Sequence, residues 1–286
     1  MSELEFVMSA GEERMLREAL EEDVGTGDLT SLALVDEGVR ARAVIRAREE
    51  LVVSGGGIAA AVFRMAGEVS AEVLAADGTR AAKGADVLRV EGPARALLAG
   101  ERTALNVMQR LSGIATETAA LVAKLAPHGT MLLDTRKTLP GWRRLDKYAV
   151  KCGGGTNHRM GLWDAVLIKD NHLAFWGGRA KGTLGDAVKV AREKSPPGVK
   201  IEIEVDTLDQ LREALEGEPD WVLLDNFSPE QVREAVAICR GRCRTEASGG
   251  ITAATAERYA EAGADAISIG ALTHSPRAAD LGLDWE

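Results

Sequence analysis

The sequence predicts an α/β protein in two parts, a small α+β layer followed by a parallel barrel, and three observations carry that reading. Apolar residues at helical spacing open the chain and strict two-residue alternation follows, the mixture expected of an α+β layer. From about Thr130 the pattern becomes short apolar runs separated by helical stretches, the signature of parallel strands joined by crossover helices. Six such runs before the chain ends favour a barrel over an open sheet. With 286 residues, 45% of them hydrophobic, the chain has ample material for a core.

In the front part, Met15, Leu16, Ala19 and Leu20 predict a helix over 12–22 that Gly25 and Gly27 end. The segment EDVGTGDLTS reads as a loop. Arg40, Arg42, Arg46 and Arg48 then alternate with Ala41, Ala43, Ile45 and Ala47, a half-buried strand whose arginines form a solvated or subunit-facing surface. Strands are expected over 69–75 and 86–91, a helix over 57–65 and a turn at Asp77 and Gly78. Gly92 and Pro93 open a long helix through Leu97, Leu98, Leu105, Met108 and Leu111, on which Glu101 and Arg102 read as an exposed pair.

In the second part the strand runs are 131–133, 165–168, 201–205, 221–224, 244–247 and 266–269. Helices are expected over 184–194, 208–215, 229–239 and 253–262. The chemistry of such a barrel sits where its strands end, and the strand ends hold the unusual residues.

Charge narrows the ligand class. The chain carries 35 basic and 44 acidic residues, a net charge of −9, with a pI near 5.2. Within it the stretch from Asp134 to His172 sets eight basic side chains against four acidic ones. A cationic island in an acidic protein suits a small polyanion, whereas a nucleic-acid footprint spreads basic charge over a whole face, so no nucleic-acid partner is expected. No segment approaches the roughly 18 apolar residues of a membrane span, and the start MSELEFVMSAGEER lacks a basic region followed by an apolar run. A soluble, cytoplasmic protein with no membrane partner is expected. Cys152, Cys239 and Cys243 make neither a CxxC pair nor a zinc set and read as structural thiols.

Three constellations sit at the strand ends. Arg136, Lys137, His158, Arg159 and Lys169 are cationic, and arginine forks with lysine point charges suit carboxylates or phosphates. Glu202 and Glu204 lie two apart on one strand, hence on one face, and Asp225 ends the next strand. These acids can pair with the cations, bind Mg²⁺ through water, or stabilise developing positive charge. Ser248-Gly249-Gly250 and Ser268-Ile269-Gly270 end the last two strands, where small residues let backbone amides approach a phosphate. Gly153-Gly154-Gly155 lacks the spacing of a dinucleotide fingerprint, and neither a P-loop nor a serine elbow is present.

These motifs in order, EDVGTGDLT, GERTALNVMQRLSGIAT, DTRKTLPGWRRLDKYAVKCGGGTNHRMGL, LIKDNH, IEIEVD, LLDNF, EASGGI and SIGALTHS, closely resemble the quinolinate phosphoribosyltransferase family over essentially the whole length. The resemblance implies an incomplete (β/α) barrel with an N-terminal α/β sandwich domain, bounded as 1–112 with the tail 273–286 for the sandwich and 113–272 for the barrel. It implies transfer of the phosphoribosyl group of phosphoribosyl pyrophosphate to quinolinate, with decarboxylation to nicotinate mononucleotide. Thr135, Arg136, His158, Arg159 and Arg102 of a neighbouring subunit would then bind quinolinate, so a homodimer with shared sites, open to higher assembly, is expected. Lys137 and Lys169 would meet carboxylate or pyrophosphate oxygens, and Glu204 and Asp225 would face the ribose and its Mg²⁺ through water. Glu204 is preferred to Glu202 because it lies nearer the strand's C-terminal end. The Ser248 and Ser268 loops would hold the 5′-phosphate. The alternatives are a paralogue acting on another substrate, such as those associated with molybdate transport, and a non-catalytic phosphate-binding barrel. The complete TRKT and NHR sets count against both.

Overall fold

Ser9 and Glu12 form a capping box that starts the first helix, α1 (Ala10–Val24), which buries Leu16 and Leu20. The computed structural model describes residues 4–176 and 182–286, so the first three residues of the N-terminal segment read above lie outside the described residues. The chain divides into one unit of Met1–Ala120, Leu139–Gly154 and Leu272–Glu286, and a second of Leu121–Thr138 and Gly155–Ala271.

In the first unit, Asp28 caps α2 (Leu29–Leu34) by accepting the Thr30 and Ser31 amides, each at 3.1 Å, so a short helix takes up part of the expected loop. The sheet is antiparallel: β1 (Arg40–Ala47) lies between the C-terminal strand β12 (Leu281–Trp285) and β5 (Asp86–Pro93), with β3 (Ser70–Val73) beyond β5. Ala43, Ile45 and Ala47 of β1 enter the core. Its arginines pair across the strands, Arg42 with Glu91 at 2.9 Å, Arg46 with Asp86 at 2.7 Å, and Arg48 with Asp284. Strands β2 (Leu51–Val52) and β4 (Arg80–Ala81) form a separate pair, and α3 (Gly56–Ala66) packs on β3 and β5. The long helix α4 (Ala94–Leu125) follows.

The same unit contains α5 (Arg143–Cys152), a helix inside the basic stretch read above only by its charge. Every residue from Leu145 to Val150 is buried, Asp146 and Lys147 included, while Arg144 and Lys151 are exposed, so Leu145, Tyr148, Ala149 and Cys152 fall at helical spacing beside a charged edge. Asp146 is held by both nitrogens of the Arg110 fork at 2.9 and 3.0 Å. The basic stretch is thereby divided, because Arg143, Arg144, Lys147 and Lys151 belong to the first unit and Arg136, Lys137, Arg159 and Lys169 to the second.

The second unit is a parallel sheet of β6 (Met131–Leu133), β7 (Val166–Ile168), β8 (Ile201–Val205), β9 (Trp221–Asp225), β10 (Arg244–Ser248) and β11 (Ala266–Ser268). Their spatial order is β6-β11-β10-β9-β8-β7. Helices α6 (Asp170–Trp176), α7 (Leu184–Lys194), α8 (Leu208–Ala214), α9 (Pro229–Cys239) and α10 (Ala256–Glu261) connect the strands, α7 and α9 opening with capping boxes at Thr183 and Ser228. Among the described residues β6 and β7 do not pair with each other, and Thr156 bridges β6 at Leu133 instead, so the barrel is incomplete. Ile201, Ile203, Val205, Val222 and Leu224 are fully buried beneath the helices. The opposite face of the same strands is left for Glu202, Glu204, Asp225 and Glu246, because Glu204 and Glu246 both pair in register with Leu223.

Candidate active site

Strand register brings the two charge sets together. Ile168 aligns with Ile203, so Lys169, one residue past β7, stands beside Glu204, and their Nζ and Oε2 form an ion pair. Asp225 ends β9 on the same face and accepts a hydrogen bond from the Asn226 side chain at 2.7 Å. Two carboxylates on adjacent strand ends are hard oxygen donors of the kind Mg²⁺ takes through its water shell, so Glu204 and Asp225 fit that ion.

The cations come from two loops. After β6, Thr135 is partly buried and its Oγ1 accepts the Lys137 amide at 3.0 Å, while the Arg136 and Lys137 side chains are exposed. The Thr156 bridge starts the second loop. There buried Asp134 accepts the Asn157 side chain at 2.6 Å and the His158 amide at 2.8 Å, and Arg159 Nη1 donates to the Ala165 carbonyl at 3.2 Å. Burial holds the Arg159 guanidinium below its ordinary pKa, and the charge of Arg136 adds to that effect. The charges of Glu202 and Asp164 act in the opposite sense on the same guanidinium.

His158 sits apart from that pair in its contacts. Its Nε2 lies 3.2 Å from Glu202 and 3.4 Å from Glu246, and its Nδ1 accepts the Arg159 amide at 2.7 Å. Burial works against a charged ring, but the two carboxylates outweigh it and push His158 up to about 10. The Arg159 amide opposes that second proton directly, because a hydrogen on Nδ1 would face the amide hydrogen across 2.7 Å. The ring and the two acids therefore hold their protons as one buried group. There burial is the largest cause pushing Glu202 up to about 7, with His158 opposing and the charge of Glu246 adding to the rise. The three donor atoms lie within 4.8 Å of one another.

Glu246 is the residue that sequence reasoning missed. The available signal was an acid inside the apolar run that ends at Ser248-Gly249-Gly250, in the register of Glu204.

At the other strand ends, Ser248 closes β10 and its carbonyl accepts the Asn226 amide at 2.9 Å. Gly249 and Gly250 follow with φ of 90° and 62°, backbone that favours glycine. Ser268 closes β11 and is buried, while the Ile269 amide donates to the Leu133 carbonyl at 3.1 Å. That amide is taken up by the sheet. Arg102 belongs to the first unit and is exposed on α4.

The sequence model described as quinolinate phosphoribosyl transferase, N-terminal domain, matches residues 28–112, and the one for the C-terminal domain matches residues 114–284. A probable nicotinate-nucleotide pyrophosphorylase (carboxylating) of Bacillus subtilis (strain 168) is 42% identical over 272 residues, covering 95% of this chain and 92% of the relative. The nicotinate-nucleotide pyrophosphorylase (carboxylating) of Mycobacterium leprae (strain TN) is 43% identical over 94% of this chain and 95% of its own length. The solved structure of the nicotinate-nucleotide pyrophosphorylase from Francisella tularensis superposes with a TM-score of 0.91 at 38% identity, covering 100% of both chains. With both domain models matched in order and relatives above 40% identity along nearly the whole length, the chain belongs to the quinolinate phosphoribosyl transferase family.

Proposed function

We infer that the chain joins quinolinate to the ribose C1 of phosphoribosyl pyrophosphate, releasing pyrophosphate and carbon dioxide and leaving nicotinate mononucleotide for NAD synthesis. The observation that carries the reading is the meeting of a basic and an acidic set at neighbouring strand ends, where strand register pairs Lys169 with Glu204. Arg136 and Arg159 hold the quinolinate carboxylates, with Thr135 and His158 belonging to the same two loops. Lys137 and Lys169 meet carboxylate or pyrophosphate oxygens, and Lys169 leaves Glu204 to do so. The Ser248-Gly249-Gly250 and Ser268-Ile269-Gly270 ends receive the 5′-phosphate. The site is shared in a homodimer, Arg102 of a second copy completing the acid-binding side.

The pyridine nitrogen gives its lone pair to ribose C1 while the bond from C1 to the pyrophosphate oxygen breaks, and pyrophosphate leaves with that electron pair. Glu204 and Asp225 stabilise the positive charge that builds on the ribose without attacking it. The ring nitrogen is now positive, so when the bond to the neighbouring carboxylate breaks its electron pair stays on the ring carbon, carbon dioxide leaves, and the carbon takes a proton. Mg²⁺ held through water by Glu204 and Asp225 would neutralise charge on the pyrophosphate oxygens.

Incubation with quinolinate, phosphoribosyl pyrophosphate and Mg²⁺ is expected to yield nicotinate mononucleotide with equal amounts of pyrophosphate and carbon dioxide. Nicotinate in place of quinolinate should give no product, and a chelator should stop turnover until Mg²⁺ is restored. Turnover of nicotinate, or none with quinolinate, would overturn the reading.

A further inference from the structure

Two cysteines share one tight turn at the end of β10 that lies away from the candidate active site. Cys239 is the last residue of α9, Cys243 directly precedes β10, and that strand, Arg244–Ser248, separates the pair from the Ser248 end. Both are free thiols, Cys239 buried and Cys243 partly exposed. Arg240, with φ of −50° and ψ of 119°, and Gly241, with φ of 75°, have the backbone of a type II turn. The Cys239 carbonyl closes it twice, accepting the Arg242 amide at 2.8 Å and the Cys243 amide at 3.3 Å. Such a turn holds its ends close enough for a disulfide, which needs Cα atoms within about 7 Å. The side chains already meet, since the Cys239 thiol donates a hydrogen bond to the Cys243 sulfur. That bond is the largest cause holding the Cys243 thiol below its ordinary pKa; burial and the Asp265 charge oppose it, and the Arg242 guanidinium adds to it. The partly exposed sulfur thus has thiolate character, and the thiolate is the reactive form. Cys152 is the contrast, because it is buried in a cluster with Ala115 and Tyr148 and burial pushes its thiol up to about 11.

We propose that Cys239 and Cys243 form a reversible dithiol–disulfide site, Cys243 being the thiol that meets hydrogen peroxide and Cys239 the thiol that resolves the product. In the first step the Cys243 thiolate attacks one peroxide oxygen, an S–O bond forms as the O–O bond breaks, and the other oxygen leaves as hydroxide and takes a proton from solvent. Sulfur is oxidised to a sulfenic acid and the peroxide is reduced to water. In the second step the Cys239 sulfur gives up its proton and attacks the Cys243 sulfur. The S–O bond breaks, and hydroxide leaves with that proton as a second water. Two thiols and one hydrogen peroxide become one disulfide and two waters. A small thiol reverses the change by exchange. Access sets the order of the two residues, because solvent reaches Cys243 while Cys239 lies buried behind it. The site is separate from the strand ends that bear the charged groups, so it does not depend on the phosphoribosyl reading.

In the test, native protein is treated with hydrogen peroxide, the remaining thiols are blocked under denaturing conditions, and the chain is cut with trypsin. Cleavage after Arg240 and Arg242 opens the turn, so a disulfide leaves the peptides 234–240 and 243–244 joined, lighter by two hydrogens than their sum. That joined peptide is expected, with Cys152 still a thiol, and dithiothreitol should separate it. Unreacted thiols at both positions, sulfinic or sulfonic acid at Cys243 in place of the cross-link, or oxidation of Cys152 at a comparable rate would overturn the site. In Cys239→Ala the sulfenic acid has no resolving thiol, so a dimedone probe should label Cys243 at least about tenfold more than in the native protein. Equal labelling would overturn the order of the two cysteines. If that variant does not fold, alkylation of the native protein by iodoacetamide decides the order: Cys243 should react at least about tenfold faster than Cys239, and equal or inverted rates would overturn it.

Discussion

At Gly249 the backbone has a φ of 90°, and a Cβ built there would run into the Asn226 side-chain oxygen. Gly250 has a φ of 62° but nothing within 4 Å of a built Cβ. The pair separates two costs that are usually confounded. Gly250→Ala should lose only the left-handed penalty, about 1–2 kcal/mol, measured by urea denaturation. Gly249→Ala carries the same penalty and must also displace Asn226, whose side chain holds Asp225 and whose amide bonds to the Ser248 carbonyl. It should therefore be the less stable of the two and show the higher KM for phosphoribosyl pyrophosphate. Equal effects would mean that the turn tolerates the added carbon. The neighbouring ion pair of Lys169 and Glu204 shows why the cationic and acidic sets belong to one site: in the free protein each already supplies the other's counter-charge.

At the scale of elements, α5 shows how a helix can be stable with charge inside it. Asp146 is fully buried, and burial pushes its carboxyl up, against which the Arg110 fork holds it down. The fork also donates to the Thr273 carbonyl at 2.8 Å, so one guanidinium ties α4 to α5 and to the chain near the C-terminus. Arg110→Ala leaves a buried acid without its cation and should cost about 3–5 kcal/mol, read as a lower denaturation midpoint. A loss below about 1 kcal/mol, the scale of an exposed ion pair, would show that water replaces the arginine. Gly113, on the same helix, lets the Arg277 carbonyl approach where any side chain would collide.

For the whole molecule the decisive question is whether the site is complete in one chain. Arg102 lies exposed in the first unit, while the remaining charged candidates belong to the second. On the shared-site reading, Arg102→Ala and Lys169→Ala are each inactive because they empty different halves of one site. After subunit exchange the mixture should recover activity, since a heterodimer contains one site with neither change, up to about a quarter of the native rate when exchange is random. No recovery despite exchange proven by mass spectrometry would confine Arg102 to its own chain.

The sequence alone determined the succession of parallel strands, because each is a short apolar run ending in polar or glycine residues, and the predicted runs 131–133 and 201–205 coincide with β6 and β8. It also determined the kind of ligand, since the basic and acidic residues at the strand ends are visible without coordinates. It did not disclose the short helix that begins in EDVGTGDLTS, which depends on the Asp28 cap, and α5 was hidden by the charge of its stretch although Leu145, Tyr148, Ala149 and Cys152 fall at helical spacing. Nor did it disclose Glu246, whose partner lies 88 residues earlier in the chain at His158. Only tertiary structure decided that acids on β8 and β10 meet on one imidazole, because that follows from strand register and barrel curvature, which no local pattern encodes. The same register set Lys169 against Glu204 and divided the basic stretch, leaving Arg136, His158, Arg159 and Lys169 in the unit that holds the strand ends.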